Sequence, residues 1–177
     1  MKATFLRALF LCCVLGTFVS CSEDLGELIV PPSVVGNWKL ESLEYDVVTT
    51  GMKDGEAFVL NHSGEGKEIS LSIDISNDPT NKFVSQGWYL VEVPADFDAT
   101  TFSDVFPFTD VHKSGTWSKE SDKLMYFNFT GIPVVKAEII NFTDKKLVIS
   151  YDVKVDSAIE GVACINTISG LYTFQKQ

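Results

Sequence analysis

The stretch Leu147–Val155, LVISYDVKV, sets Leu147, Ile149, Tyr151, Val153 and Val155 on alternate positions against Ser150, Asp152 and Lys154. Successive side chains of a strand point to opposite faces, so a period of two held this long predicts a half-buried β-strand with one wet face. Ile69–Ser76, ISLSIDIS, repeats the pattern, with Ile69, Leu71, Ile73 and Ile75 against Ser70, Ser72, Asp74 and Ser76. Working outward, strand runs are expected at Asn37–Thr49, Phe83–Val93, Ser114–Lys119, Lys123–Thr130, Val134–Phe142 and Ala163–Gln175. Only Asp98–Val105 carries a helical stripe, and that one is weak.

Turn residues separate these runs, at Asn77-Asp78-Pro79, Thr130-Gly131-Ile132-Pro133 and Thr143-Asp144-Lys145, and the short spacings favour sequential hairpins. Closing a meander of about eight strands removes the exposed edges that invite aggregation. The expected fold is therefore all-β, an antiparallel eight-stranded up-and-down barrel, with a β-sandwich as the alternative. A barrel of that size is filled by side chains or holds one small ligand.

The first strand changes phase. Trp38 and Leu40 are apolar at even positions, whereas Leu43, Tyr45 and Val47 are apolar at odd ones. One extra residue reconciles both runs with a single core face, which predicts a β-bulge near Glu41–Leu43.

Upstream of the strands, Lys2 and Arg7 precede an apolar stretch, Ala8–Val19, that ends in Phe18-Val19-Ser20-Cys21. A basic start, a short apolar run and a small residue before the cut make a secretory signal, too short to span a membrane. Bulky Phe18 at −3 fits the lipobox of bacterial lipoproteins better than an ordinary cleavage site. Residues 1–20 are thus expected to be a signal peptide and Cys21 the lipidated residue. Residues 21–33 would be an acidic, proline-stiffened tether, and residues 34–177 the barrel domain. Membrane attachment would then rest on the acyl chains of Cys21, because stable anchoring takes at least two of them.

Cleavage before Cys21 would take 20 of the 177 residues and leave 157, enough for one domain with a sizeable core. It would also remove two of the 14 basic residues and none of the 24 acidic ones, moving the net charge from −10 to −12. Arg7 is the only arginine, so bidentate clamping of phosphate is lost with the signal. An acidic chain without arginine is a poor partner for nucleic acid. Of the four cysteines, Cys12 and Cys13 would leave, Cys21 would be acylated, and Cys164 would stand alone in the apolar run GVACINTI. No intramolecular disulfide is then available.

Gly36-Asn37-Trp38 opens the first strand inside VVGNWKLES, and Gly-x-Trp-x-x-Glu-Ser recurs at Gly115–Ser121 in SGTWSKESDKL, around Trp117. Here the chain resembles the lipocalin superfamily, and more closely the lipocalin-like lipoproteins of Gram-negative bacteria. The resemblance implies a Trp packed across the closed end of the barrel and capped by a basic residue near the end of the last strand. In this chain those residues are Trp38 and Lys176. It also implies a protein of the bacterial cell envelope, anchored at the outer membrane, and Ser22-Glu23-Asp24 resembles a surface-export signal.

Pro94–Lys113 is long for a connection and carries Phe97, Phe102, Phe106 and Phe108 among Asp96, Asp98, Asp104 and Asp110. Four phenylalanines are hard to leave in water, so they are expected either to plug the barrel mouth or to line a binding cleft for a small apolar ligand. Asp96 and Asp98 lack the glycine and terminal Glu of a calcium loop. His62, in LNHSGEGKE, is expected on an exposed turn, and neither it nor His112 is spaced to serve Cys164 as a base or to bind zinc. No cofactor, no metal and no enzymatic activity are expected. The functional expectations are a membrane-anchored small-ligand binder, or a surface module with a filled barrel that binds a macromolecule or glycan.

Overall fold

The computed structural model describes residues 32–77, 79–97, 114–129 and 133–177, together with the backbone of 104–109. The expected signal, Cys21 and most of the tether lie outside these residues. Eleven strands are formed among them: β1 (Gly36–Lys53), β2 (Glu56–Glu65), β3 (Ser72–Ser76), β4 (Lys82–Gln86), β5 (Trp88–Val93), β6 (Asp104–Thr109), β7 (Ser114–Ser121), β8 (Leu124–Phe129), β9 (Val135–Phe142), β10 (Lys146–Ile159) and β11 (Val162–Lys176). No helix occurs among the described residues.

Eight of these strands close a ring, β1-β3-β4-β7-β8-β9-β10-β11, in which β11 pairs with β1 along its length from Trp38↔Lys176 to Gly51↔Cys164. All pairings are antiparallel and follow chain order, so the molecule is a closed up-and-down barrel and not a sandwich. The upper half of long β1 carries β2 in place of β3. The chain bends at 66–71, where Lys67 and Leu90 exchange backbone hydrogen bonds at 2.8 and 3.0 Å.

The alternation of LVISYDVKV holds, and β10 runs on to Ile159. The register slips between Leu40 and Ser42, which leaves Glu41 as the bulge and puts Trp38, Leu40, Leu43 and Tyr45 all in the core. The expected strand at Phe83–Val93 breaks in two at Gly87, whose φ of +100° only glycine adopts without strain.

Two expectations are corrected. His62 is not on a turn: it lies in the middle of β2, half-buried and opposite Val47. The Pro94–Lys113 segment is not all loop, because β6 forms within it and pairs with β5, Val91 opposite Phe106 and Tyr89 opposite Phe108. Of the weak helical stripe, residues 98–103 lie outside the described set, and Asp104 and Val105 open β6.

The lower barrel is filled. Trp38, Leu40, Phe83, Met125, Phe127, Ile139, Ile149 and Phe174 are buried together, with Phe83 meeting Phe127 and Phe129 edge-on at 5.2 and 4.8 Å. Trp38 closes this end. Its indole N–H donates to Val34 O at 2.7 Å, Phe142 lies 6.3 Å away, and Lys176 Nζ stands 5.1 Å over the ring while donating to Ser33 O. That is a cation–π cap of the expected kind.

Candidate functional site

Above this core, the register brings Gly64, Tyr45, Gly170 and Tyr151 into one row across β2, β1, β11 and β10. Glycine alternates with tyrosine for a steric reason. A Cβ on Gly64 would strike the Tyr45 hydroxyl, and one on Gly170 would strike the ring of Tyr172. Tyr172 therefore folds across Gly170 and stacks on Tyr151, with ring centroids 4.2 Å apart and planes 5° from parallel. From the opposite wall, the Tyr89 hydroxyl shares a 3.3 Å hydrogen bond with that of Tyr172. The Tyr45 hydroxyl accepts the Glu92 N–H at 2.9 Å. Burial holds the Tyr172 phenol well above its ordinary pKa and raises that of Tyr45. The four rings floor the upper half of the barrel.

Over this floor the next inward row is His62, Val47, Ile168 and Val153, followed by Leu60, Thr49, Asn166 and Val155. Thr49 Oγ1 donates to Asn166 Oδ1 at 2.6 Å, with both side chains buried, so each satisfies the other in an otherwise apolar layer.

The wall opens beside the tyrosines. β9 and β10 are paired only from Leu147↔Phe142 to Ser150↔Glu138. Beyond that, β9 stays with β8 at Val135↔Phe127, while β10 stays with β11. Between the diverging strands lies a cleft of about 830 Å³, lined by Pro133, Val134, Val135, Tyr151 and Val153 and bordered by Lys136, Glu138, Ser150, Asp152 and Lys154. Its volume falls within the range of small-molecule sites, and an apolar bed with a few polar groups at the border is their usual composition. A second groove, about 590 Å³, crosses the outer face past Glu44, Asp46, Ser63, Glu65 and Ser169. It is polar and acidic, and Ser63 Oγ donates to Asp46 Oδ1 within it at 2.5 Å.

The sequence-predicted residues are dispersed. Phe97 is half-buried at the β1–β2 tip, edge-on to Phe58 at 5.1 Å and under Lys53 Nζ at 3.6 Å. Phe102 lies outside the described residues, as do the side chains of Phe106 and Phe108 and the whole of His112. Gly36 and Trp38 sit at the closed end, and Gly115 and Trp117 start β7, where the Trp117 indole donates to Ser76 O at 2.8 Å. Cys164 is buried, and burial raises its thiol pKa, which suits an inert thiol. No group of three or more His, Cys, Asp and Glu is placed to hold a metal among the described residues.

Tyr151, Tyr172 and Val134 were not singled out by sequence reasoning. Tyr151 read only as one apolar position of its strand and Tyr172 only as part of the expected strand Ala163–Gln175, and their meeting depends on the β10–β11 register. Compared with family models, with curated proteins and with solved structures, the chain matches none.

Proposed function

We propose that this protein is a lipid-anchored, lipocalin-like lipoprotein of the bacterial cell envelope that binds a small, mainly apolar molecule in the cleft between β9 and β10. The cleft is the observation that carries this reading. Trp38, Tyr45, Tyr89 and Tyr172 occupy the barrel interior, so a ligand has room at the opened wall and not along the axis. An apolar body would lie against Val134, Val135, Val153 and the half-buried ring of Tyr151. A polar end would rest among Lys136, Glu138, Asp152 and Lys154. The signal-like residues 1–20 and Cys21 support anchoring, and the Trp38–Lys176 cap supports the lipocalin-like reading.

Titration with an environment-sensitive apolar fluorophore tests the binding reading. Saturable binding is expected, and Val134→Asp, at a position 54% exposed, should weaken it roughly tenfold or more by placing a charge against the apolar bed. Unchanged affinity in that variant, with the fold intact, would overturn the assignment of the cleft.

A further inference from the structure

The outer face of β2, β1 and β11 carries a continuous apolar patch above the acidic groove. The register places Val59 opposite Thr50 and Thr50 opposite Ile165, with Met52 and Ala57 paired in the next row toward the β1–β2 tip and Val48 in the row below. Met52 is 58% exposed, Val59 61% and Ile165 45%, so these aliphatic side chains stand in water together. Single exposed aliphatics need no explanation, but a cluster spread over adjacent strands marks a docking surface.

Down the same strands the face turns acidic. Asp46 stands one row below Val48, and Glu44 one row below Asp46, directly opposite Glu65 of β2. No lysine lines this groove, and none of Glu44, Asp46 and Glu65 is in an ion pair among the described residues. Like charges directly across a ladder destabilise it, so Glu44 and Glu65 face each other at a cost that a cation between them would remove.

The backbone decides the form of the partner. Here β1 is paired on both sides, with β11 and with β2, so no strand can add to it. A segment lying on this face must satisfy its own backbone groups, which a helix does and a single extended chain does not. From Met52 to Glu44 the surface runs about 27 Å along β1 at about 3.4 Å per residue, the length of a helix of about 18 residues.

We propose that this face docks a cationic amphipathic helix of a partner protein. Its aliphatic residues lie on Val48, Met52, Val59 and Ile165, and its lysines or arginines on Glu44, Asp46 and Glu65. A second copy of the chain and an anionic membrane fit worse. The chain carries a net charge of −10, and either occupant brings further negative charge to the carboxylates. The groove shares only Ser150 with the β9–β10 cleft, so the helix site stands independently of what the cleft binds.

Fluorescence anisotropy tests this with the full-length chain in phosphatidylcholine nanodiscs. The probe is a fluorescein-labelled helical peptide of leucine and lysine, about 18 residues long, and empty nanodiscs are the blank. Saturable binding is expected, weakening as salt is added. Glu65→Lys should weaken it roughly tenfold or more and Val59→Ser roughly threefold or more, both with the far-UV circular dichroism of wild type. Glu65→Lys also removes a like-charge pair, so its unfolding midpoint should equal or exceed that of wild type, and its affinity for the apolar fluorophore should not change. Peptides of leucine with glutamate, or of serine with lysine, should bind much more weakly. Binding no stronger than to empty nanodiscs, equal affinity for the control peptides, or wild-type affinity in either variant would each overturn the proposal. Self-association of the chain, or its attachment to phosphatidylglycerol vesicles, that Val59→Ser abolishes would overturn it too, by giving the face to a second copy or to lipid.

Discussion

Tyr151 lies flat on Tyr172, 4.2 Å between ring centroids, because Gly170 stands between them on the same inner face. Tyr172 is 1% exposed and is held by stacking on one side and by the Tyr89 hydroxyl on the other. Tyr172→Ala should cost about 3–5 kcal/mol in denaturant unfolding, as expected of a large core truncation. Tyr151→Ala, which loses the stack from the cleft side, should cost about 0.5–1.5 kcal/mol beyond its lost burial. Gly170→Ala should cost about 1–3 kcal/mol through overpacking against Tyr172.

The same burial sets an alkaline limit. Tyr45 and Tyr172 have folded-state pKa values raised above the unfolded one, so the folded state binds these protons more tightly. Their contribution is fully present below the unfolded value, near pH 10, and is lost as the pH rises from there toward the folded values. Tyrosinate absorbance at increasing pH should therefore show Tyr172 ionising well above the ordinary tyrosine range, together with loss of near-ultraviolet circular dichroism. Ionisation of all five tyrosines near pH 10 with the fold intact would contradict the buried layer.

At the closed end the expected effects separate by mechanism. Trp38→Ala should cost about 3–5 kcal/mol. Lys176→Ala removes a partly exposed cation from over a buried ring and should cost about 0.5–1 kcal/mol. Urea unfolding followed by Trp fluorescence measures both. Equal losses would mean that the cap, and not the packing, holds that end.

Much of the fold was legible because one face of each strand packs. LVISYDVKV and ISLSIDIS keep a strict period, and the phase change at Glu41 located the bulge. β2 was illegible for the converse reason. It turns His62 and Gly64 inward and leaves Val59 61% exposed, so polarity no longer marks its faces. β6 was hidden by Pro107 and by aspartates that read as loop. The cleft has no local signature at all. The alternation of β10 runs unbroken through Ser150, and only the departure of β9 opens the wall there.

Lipidation is separable from folding in this account. The barrel closes through β1 and β11, from Trp38↔Lys176 to Gly51↔Cys164, so Cys21→Ser should move the protein from the membrane fraction to the soluble one and leave the unfolding midpoint unchanged. Mass spectrometry of the mature N-terminal peptide provides the direct readout. A wild-type peptide without acyl mass would remove the anchoring proposal.

The location of a bound apolar molecule tests the central claim most directly. Amide chemical shifts of the ¹⁵N-labelled protein, followed while an apolar fluorophore is titrated in, report every residue that the molecule touches. The account predicts perturbations clustered at Val134–Glu138 and Ser150–Lys154, the two walls of the cleft, with saturation at one equivalent. Perturbations centred instead on β5, β6 and Phe97, with the two walls silent, would contradict it.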